Sequence, residues 1–258
     1  MLHAPLLLAL ILSLAAGEPT PPTPVLVELF TSEACDNCPH KEELLGRLAK
    51  TQPVEGVELV PLAFHMDAYD HLGWKDRFGQ PQATQRQRRY NAVHHHGKLF
   101  APHMVVDGTH SFLANEEQAL AQVKESSHRR KVPVRLTVHA DKGELVLKVD
   151  LDAKPERDVE VWAALAEEGL STKVTAGPNK GRTLTHTATV RTWTVLPEPK
   201  AEGSGFTTEA RLKLEPGWKR ERLRVVVALQ KPWGGRVEGL ALIKEVRPGS
   251  RPERTSGR

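Results

Sequence analysis

Cysteine is almost missing from this sequence: two of 258 residues, Cys35 and Cys38, both within "FTSEACDNCPH" (residues 30–40). That scarcity excludes a small fold stapled by several disulfides. Aromatic residues are also few, at 5%. Beyond residue 17 no apolar run approaches the ~20 residues that cross a bilayer, so no integral span is expected in the mature chain. Strong charge of one sign is lacking too. The formal net charge is +4, and most of it comes from the last twelve residues, where Arg247, Arg251, Arg254 and Arg258 face only Glu253. The remainder is nearly neutral, and a nucleic-acid partner is not favoured. With 39% hydrophobic and 26% charged residues, the composition is that of an ordinary globular protein with room for two domains.

Residues 1–17, "MLHAPLLLALILSLAAG", carry an apolar run from Leu6 to Leu14 followed by small residues, and read as a signal peptide cleaved after Gly17. An uncleaved anchor is the competing reading. Residues 18–24 form a Pro-rich linker, and residues 248–258 a basic tail without apolar residues, expected to be disordered. The expected location is therefore periplasmic or extracellular, an oxidising setting. A bond between Cys35 and Cys38 would close a very short loop, the kind that stabilises least, so a purely structural staple explains the pair poorly.

The local pattern points to chemistry. "VLVELFT" (25–31) reads as a buried strand, and Pro39 to Lys50 as a helix with Leu44, Leu45 and Leu48 on its apolar stripe. Glu42 and Glu43 suit the positive end of that helix. Cys35 then sits beside free backbone N–H groups at a helix start, which favour the thiolate, while Asp36 opposes it. "VELVPLAFHM" (57–66) is a second strand, residues 67–93 a helical insertion with loop, and Asp107-Gly108 a hairpin turn between two short strands. Asn115, with Gln118 three residues on, caps a last helix. The order β-α-β-(insertion)-β-β-α, with Cys-x-x-Cys after the first strand, is that of the thioredoxin fold. In that fold Pro102 occupies the place of a cis proline facing the active-site sulfurs.

The segments "VELFTSEACDNCP", "FHMDAYDHLGWKDRF", "PQATQRQRRY" and "APHMVVDG", with "GPNKGRTLTHTATVR" and "VVALQ" farther on, resemble a bacterial family of secreted thioredoxin-like proteins, the domain-of-unknown-function 1223 family. The likeness runs from about Val25 to Val246. It implies export and a thioredoxin-like domain (25–130) joined to a β-rich domain (131–247), and it supplies no substrate. The chain departs from the family pattern at Ala68-Tyr69, where an aromatic pair is usual, at Gly177-Pro178-Asn179, where Gly-Glu-Asn is usual, and at the run His94-His95-His96.

Other residue groupings carry competing readings. Cys35 and Cys38 with His94, His95, His96 or His103 form a sulfur and nitrogen ligand set suited to Cu(I) or Zn(II), against the plainer account that the histidines are solvated. His65 and Asp67 are candidates for proton transfer near Cys38, although Asp67 also reads as a helix cap. Trp74, with Lys75, Asp76 and Arg86, is a candidate for a groove wall, or else packs the insertion onto the sheet. After residue 130 strands alternate with Gly and Pro turns in a β-sandwich-like pattern, and "GPNKG" lacks the Lys-Ser/Thr ending of a phosphate loop.

The sequence thus predicts an α/β thioredoxin-like domain with a helical insertion, followed by an all-β sandwich-like domain. Its expected activity is thiol-disulfide exchange with protein or small-molecule thiols and disulfides. Cys35 acts as nucleophile, Cys38 resolves, and Pro102 shapes the groove. No organic cofactor is expected, only a redox partner protein. The rival readings are a Cu(I) or Zn metallochaperone and a partner-binding module that keeps the scaffold without the chemistry.

Overall fold

A computed structural model of the chain describes residues 21–156, 158–246 and 253–254. The expected signal peptide lies outside the described residues, as do residues 18–20 of the linker and all of the tail except 253–254.

The first half begins with β1 (Thr23–Thr31), α1 (Cys38–Thr51) and β2 (Val57–His65). The strands pair in parallel register from Thr23↔Val57 to Thr31↔His65. β1 starts two residues earlier than its apolar run. Pro39 fits the first turn of α1, where a missing N–H costs nothing, and Leu44, Leu45 and Leu48 are buried against the sheet. The insertion is a 3-10 turn over Asp67–Leu72 followed by α2 (Pro81–Val93). β3 (His103–Val106) and β4 (His110–Leu113) flank the expected turn. Asp107 and Gly108 both take left-handed φ, 47° and 71°, as a twisted two-residue hairpin requires. α3 (Glu116–Ser127) is capped as its sequence predicts: the Asn115 side-chain oxygen accepts from the Gln118 N–H at 3.0 Å.

The second half comprises β5 (Val134–Asp141), β6 (Glu144–Leu151), β7 (Glu160–Glu167), β8 (Leu170–Lys173), β9 (Thr183–His186), β10 (Thr189–Val195), β11 (Lys200–Glu202), β12 (Gly205–Lys213), β13 (Leu223–Gln230), β14 (Val237–Ile243) and β15 (Glu253–Arg254). β5 and β6 form the hairpin expected about Lys142-Gly143. "GRTLTHTATVRTWTVL" does not make one strand. It breaks at Ala188, whose φ is 47°, into β9 and β10 in different sheets.

These elements give a mixed α/β protein built on an eight-stranded sheet, ordered β14-β13-β7-β10-β2-β1-β3-β4. The sheet continues across residue 130: β10 lies beside β2, with Thr189 opposite Ala63 and the Ala63 N–H donating to Ala188 O at 2.9 Å. A five-stranded sheet, β11-β12-β6-β5-β15, packs on its β7 and β13 end through Leu136, Leu147 and Val149 against Leu165, Val225 and Val227. Alternate residues of β7, Trp162, Ala164 and Ala166, join Leu26, Phe30, Leu62, Ala83 and Tyr90 in a second core under α2. Leu44, Leu45 and Leu48 of α1 and Ala119 and Val123 of α3 close the third. β8 and β9 stand apart as a hairpin that docks on α1. Among the described residues no helix is long and apolar enough to cross a membrane.

Candidate functional site at the cysteine pair

Cys35 and Cys38 are joined by a disulfide at the corner between β1 and α1. Cys38 is the first residue of the helix, so its neighbour in the bond lies at the positive helix end. The tip of the loop, Asp36 and Asn37, is exposed; Cys35 is 6% exposed and Cys38 fully buried. The Ala101–Pro102 peptide is cis. Phe30 pairs with His103, the first residue of β3, in the antiparallel β1–β3 register, and Pro102 directly precedes it in the chain.

Part of what holds the Cys-x-x-Cys loop comes from the distant second half. The Asn179 amide donates to both Glu33 O and Cys35 O at 2.9 Å. Gly177, at φ +69°, lies so near Trp74 that a Cβ would stand 2.9 Å from the Trp74 Cβ, a separation real Cβ atoms do not show. "GPNKG" is therefore the clasp that closes on the Cys-x-x-Cys loop.

Next to this loop lies a buried ionic cluster of three carboxylates and two imidazoles. His65, at the end of β2, places Nδ1 2.7 Å from Asp76 Oδ2 and Nε2 3.5 Å from Glu42 Oε1. His186, at the end of β9, places Nδ1 3.0 Å from the same Glu42 oxygen and Nε2 3.2 Å from Glu33 Oε1. Glu33 also accepts from Trp74 Nε1 at 2.8 Å, and its own N–H donates to Asp76 Oδ2 at 2.8 Å. Burial by itself pushes the Glu42 carboxyl up, but the charge of His65 and the hydrogen bond from His186 outweigh it and hold Glu42 at about 2. The same competition lowers Glu33 and Asp76. Burial opposes the charged form of His65 and His186, yet the facing carboxylates win, and both imidazoles are raised, His65 well above its usual 6.5.

The expected site residues divide accordingly. His65 and Trp74 join the cluster, and Trp74 also meets the β8–β9 hairpin. Asp67 opens the 3-10 turn as its first residue and accepts from the Thr84 hydroxyl instead of capping a helix. Asp76 and Arg86 are buried and wall no open groove. His103, also buried, is held by Gln87 and Ser111; His96 shares the Ser111 hydroxyl, and His94 Nε2 lies 3.0 Å from Gly108 O. His95 is exposed, at φ 57°. Among the described residues, one group of three His, Cys, Asp or Glu ligand atoms lies within 4.8 Å of one another: Glu42, His65 and His186. The cysteines and the loop histidines do not form such a group.

Sequence reasoning missed the inward role of Glu42, Glu33 and His186. Glu42 had a local signal, since it falls on the stripe of α1 that buries Cys38 and Leu45. His186 had none, because Glu42 lies 144 residues away and Glu33 farther still.

The chain belongs to the family described as "Protein of unknown function (DUF1223)", which matches residues 26–230. No curated protein matches it. Among solved structures it is similar to protein AGR_C_4864 from Agrobacterium tumefaciens, at 19% identity and a TM-score of 0.65 over 92% of this chain and 99% of that one. It is also similar to HBP35 of Porphyromonas gingivalis, at 13% identity and a TM-score of 0.67 over 93% and 82%. At such identities the likeness is one of fold.

Proposed function

We propose that this member of the DUF1223 family is an exported, thioredoxin-like thiol-disulfide oxidoreductase. The observation that carries the reading is the Cys35–Cys38 disulfide at the strand-to-helix corner, with Cys38 opening α1. The β-α-β and β-β-α order around it supports the thioredoxin-like assignment, as does the place of Pro102 immediately before β3. Export is supported by the apolar run Leu6–Leu14 and the small residues after it.

In the reduced protein the Cys35 thiolate attacks one sulfur of a partner disulfide. A Cys35–partner bond forms, and the partner's other sulfur leaves as a thiolate that takes up a proton. Cys38, deprotonated, then attacks the Cys35 sulfur. The intramolecular disulfide forms, the second partner thiol is released, and two electrons have passed to the partner. The reverse sequence oxidises a partner dithiol. Cys35 is nearly buried and Asn179 holds its carbonyl, so the proposed exchange includes prior opening of the β8–β9 clasp.

Two measurements test this. Equilibration of the full chain with glutathione or dithiothreitol buffers should give one reversible two-electron transition. Cys38→Ser should accumulate mixed disulfides with exported proteins or small thiols. A pair that does not cycle, together with no trapped adduct, overturns the reading.

A further inference from the structure

We propose that Glu42, His65 and His186 form a binding site for a divalent transition cation of the Zn(II) class, distinct from the cysteines and independent of their redox chemistry. One ligand comes from each of α1, β2 and β9. Two ligands each about 2.1 Å from one ion stand roughly 3.0 Å apart at a right angle and roughly 3.4 Å apart at the tetrahedral angle. Glu42 Oε1 lies 3.0 Å from His186 Nδ1 and 3.5 Å from His65 Nε2, near those spacings, and all three ligand atoms lie within 4.8 Å of one another.

The outer contacts match the same purpose. A metal-bound imidazole usually gives its far N–H to a carboxylate, which fixes the tautomer and aims the near nitrogen at the ion. Here His65 Nδ1 is hydrogen-bonded to Asp76 Oδ2 at 2.7 Å, while His186 Nε2 faces Glu33 Oε1 as an ion pair at 3.2 Å without hydrogen-bond alignment. Those carboxylates are themselves held, Glu33 by the Trp74 indole and Asp76 by the N–H groups of Glu33 and Phe78. The nitrogen of His65 that faces Glu42 makes no hydrogen bond, although the side chain is completely buried. A buried ring nitrogen with no hydrogen bond, facing one carboxylate at 3.5 Å, is under-satisfied, and an ion held between it and Glu42 would satisfy it.

Charge favours the ion as well. Three buried carboxylates face two imidazoles. One divalent cation with two neutral imidazoles leaves the same net charge as two imidazolium groups, so uptake of the ion exchanges for two protons without changing the buried balance. Two nitrogens and an oxygen suit Zn(II) or Co(II) and do not suit Cu(I), which prefers sulfur. Since His186 arrives on the hairpin whose Asn179 holds Cys35 O, the ion would pin that hairpin to α1 and β2.

The test uses the full mature chain, disulfide intact and freed of metal by chelator, titrated with Zn(II) and Co(II). One ion per chain is expected, and Zn(II) should raise the melting temperature. The Co(II) complex should show visible ligand-field bands without a thiolate charge-transfer band. Calorimetry in buffers of different ionisation enthalpy should report proton release on binding, with affinity rising as pH rises. Glu42→Gln and His186→Gln should each weaken binding at least tenfold, while Cys35→Ser/Cys38→Ser leaves it unchanged. Should those variants not fold, nitrogen NMR of the wild type serves instead: Zn(II) should shift two imidazoles, neither in the 94–96 run. No binding by the oxidised chain, binding that survives both substitutions, or binding that needs the cysteines overturns the proposal. Its failure leaves the oxidoreductase reading untouched, because that reading is tested by the sulfur exchange alone.

Discussion

A histidine buried among neutral partners and one buried among carboxylates respond to pH in opposite ways, and this protein contains both. At His103 the Gln87 amide donates to Nδ1 and Nε2 faces the Ser111 hydroxyl; burial, with His96 and His94 near, pushes its pKa down to about 3. Because the folded value lies below 6.5, the unfolded chain takes up the proton first. Stability therefore falls as pH drops from 6.5 toward 3, by about 2 kcal/mol over the first 1.5 pH units. Urea titrations at pH 6.5 and pH 5 should show this loss in the wild type, and His103→Gln should lose less by about that amount. His65 is raised, so its contribution is complete below 6.5 and disappears as pH climbs through its folded value. Arg86 supplies a third case. It donates to Glu28 Oε1 at 2.6 Å, touches Tyr90 and Gln230, and lies within 5.4 Å of the Phe64, Tyr90, Trp162 and Trp193 rings. Arg86→Met strands the Glu28 carboxylate in the core and should cost about 3–5 kcal/mol, while Glu28→Gln/Arg86→Met should cost less than Arg86→Met alone. A urea-denaturation cycle reads both.

Among the elements, the β8–β9 hairpin has the most direct bearing on the disulfide. Its clasp rests on two hydrogen bonds from one amide, Asn179 to Glu33 O and Cys35 O. Asn179→Ala leaves those carbonyls without their donor at a cost of about 1–3 kcal/mol. If the hairpin gates the sulfurs, the same change raises the open population about tenfold for each 1.4 kcal/mol. Reduction of the disulfide by a small phosphine should then accelerate about tenfold; an unchanged rate would show that the hairpin is no gate. Several elements were legible in the sequence because their signals are local. The Asn115 cap, the Asp107-Gly108 and Lys142-Gly143 turns and the leucine stripe of α1 each depend on residues within a few positions. The break between β9 and β10 was not legible. Ala188 carries no turn chemistry, and its left-handed φ is imposed by pairing with β2 on one side and by burial of His186 on the other.

For the whole molecule, the continuity of the large sheet matters most. A change of pattern near residue 130 argues for two domains, and the eight-stranded sheet carries strands from both sides of it. The core under α2 is likewise shared, with Leu26, Phe30 and Tyr90 packed among Trp162, Ala164 and Ala228. Trp162 Nε1 donates to Gln230 Oε1 at 2.7 Å, and Gln230 Nε2 donates to the Tyr90 hydroxyl at 2.9 Å. A fragment of residues 21–130 would expose that shared surface and leave Glu42 and His65 without His186. It is expected to show no cooperative urea transition by circular dichroism, while the full chain unfolds in one step. A cooperative fragment would instead establish the first half as a domain in its own right.

Family membership, the parallel β1–α1–β2 start and the placement of both cysteines at its corner follow from the sequence alone, because strand runs, helix stripes and turn residues act over short distances. Only the tertiary structure decided which partners meet Glu42, that His186 and Asn179 cross from the second half to reach it and Cys35, and that one sheet joins the two halves. The physical reason is the same in each case. A buried charge or an orphaned carbonyl is tolerated only where a partner reaches it, and these partners are remote in the chain, Asn179 lying 146 residues from Glu33.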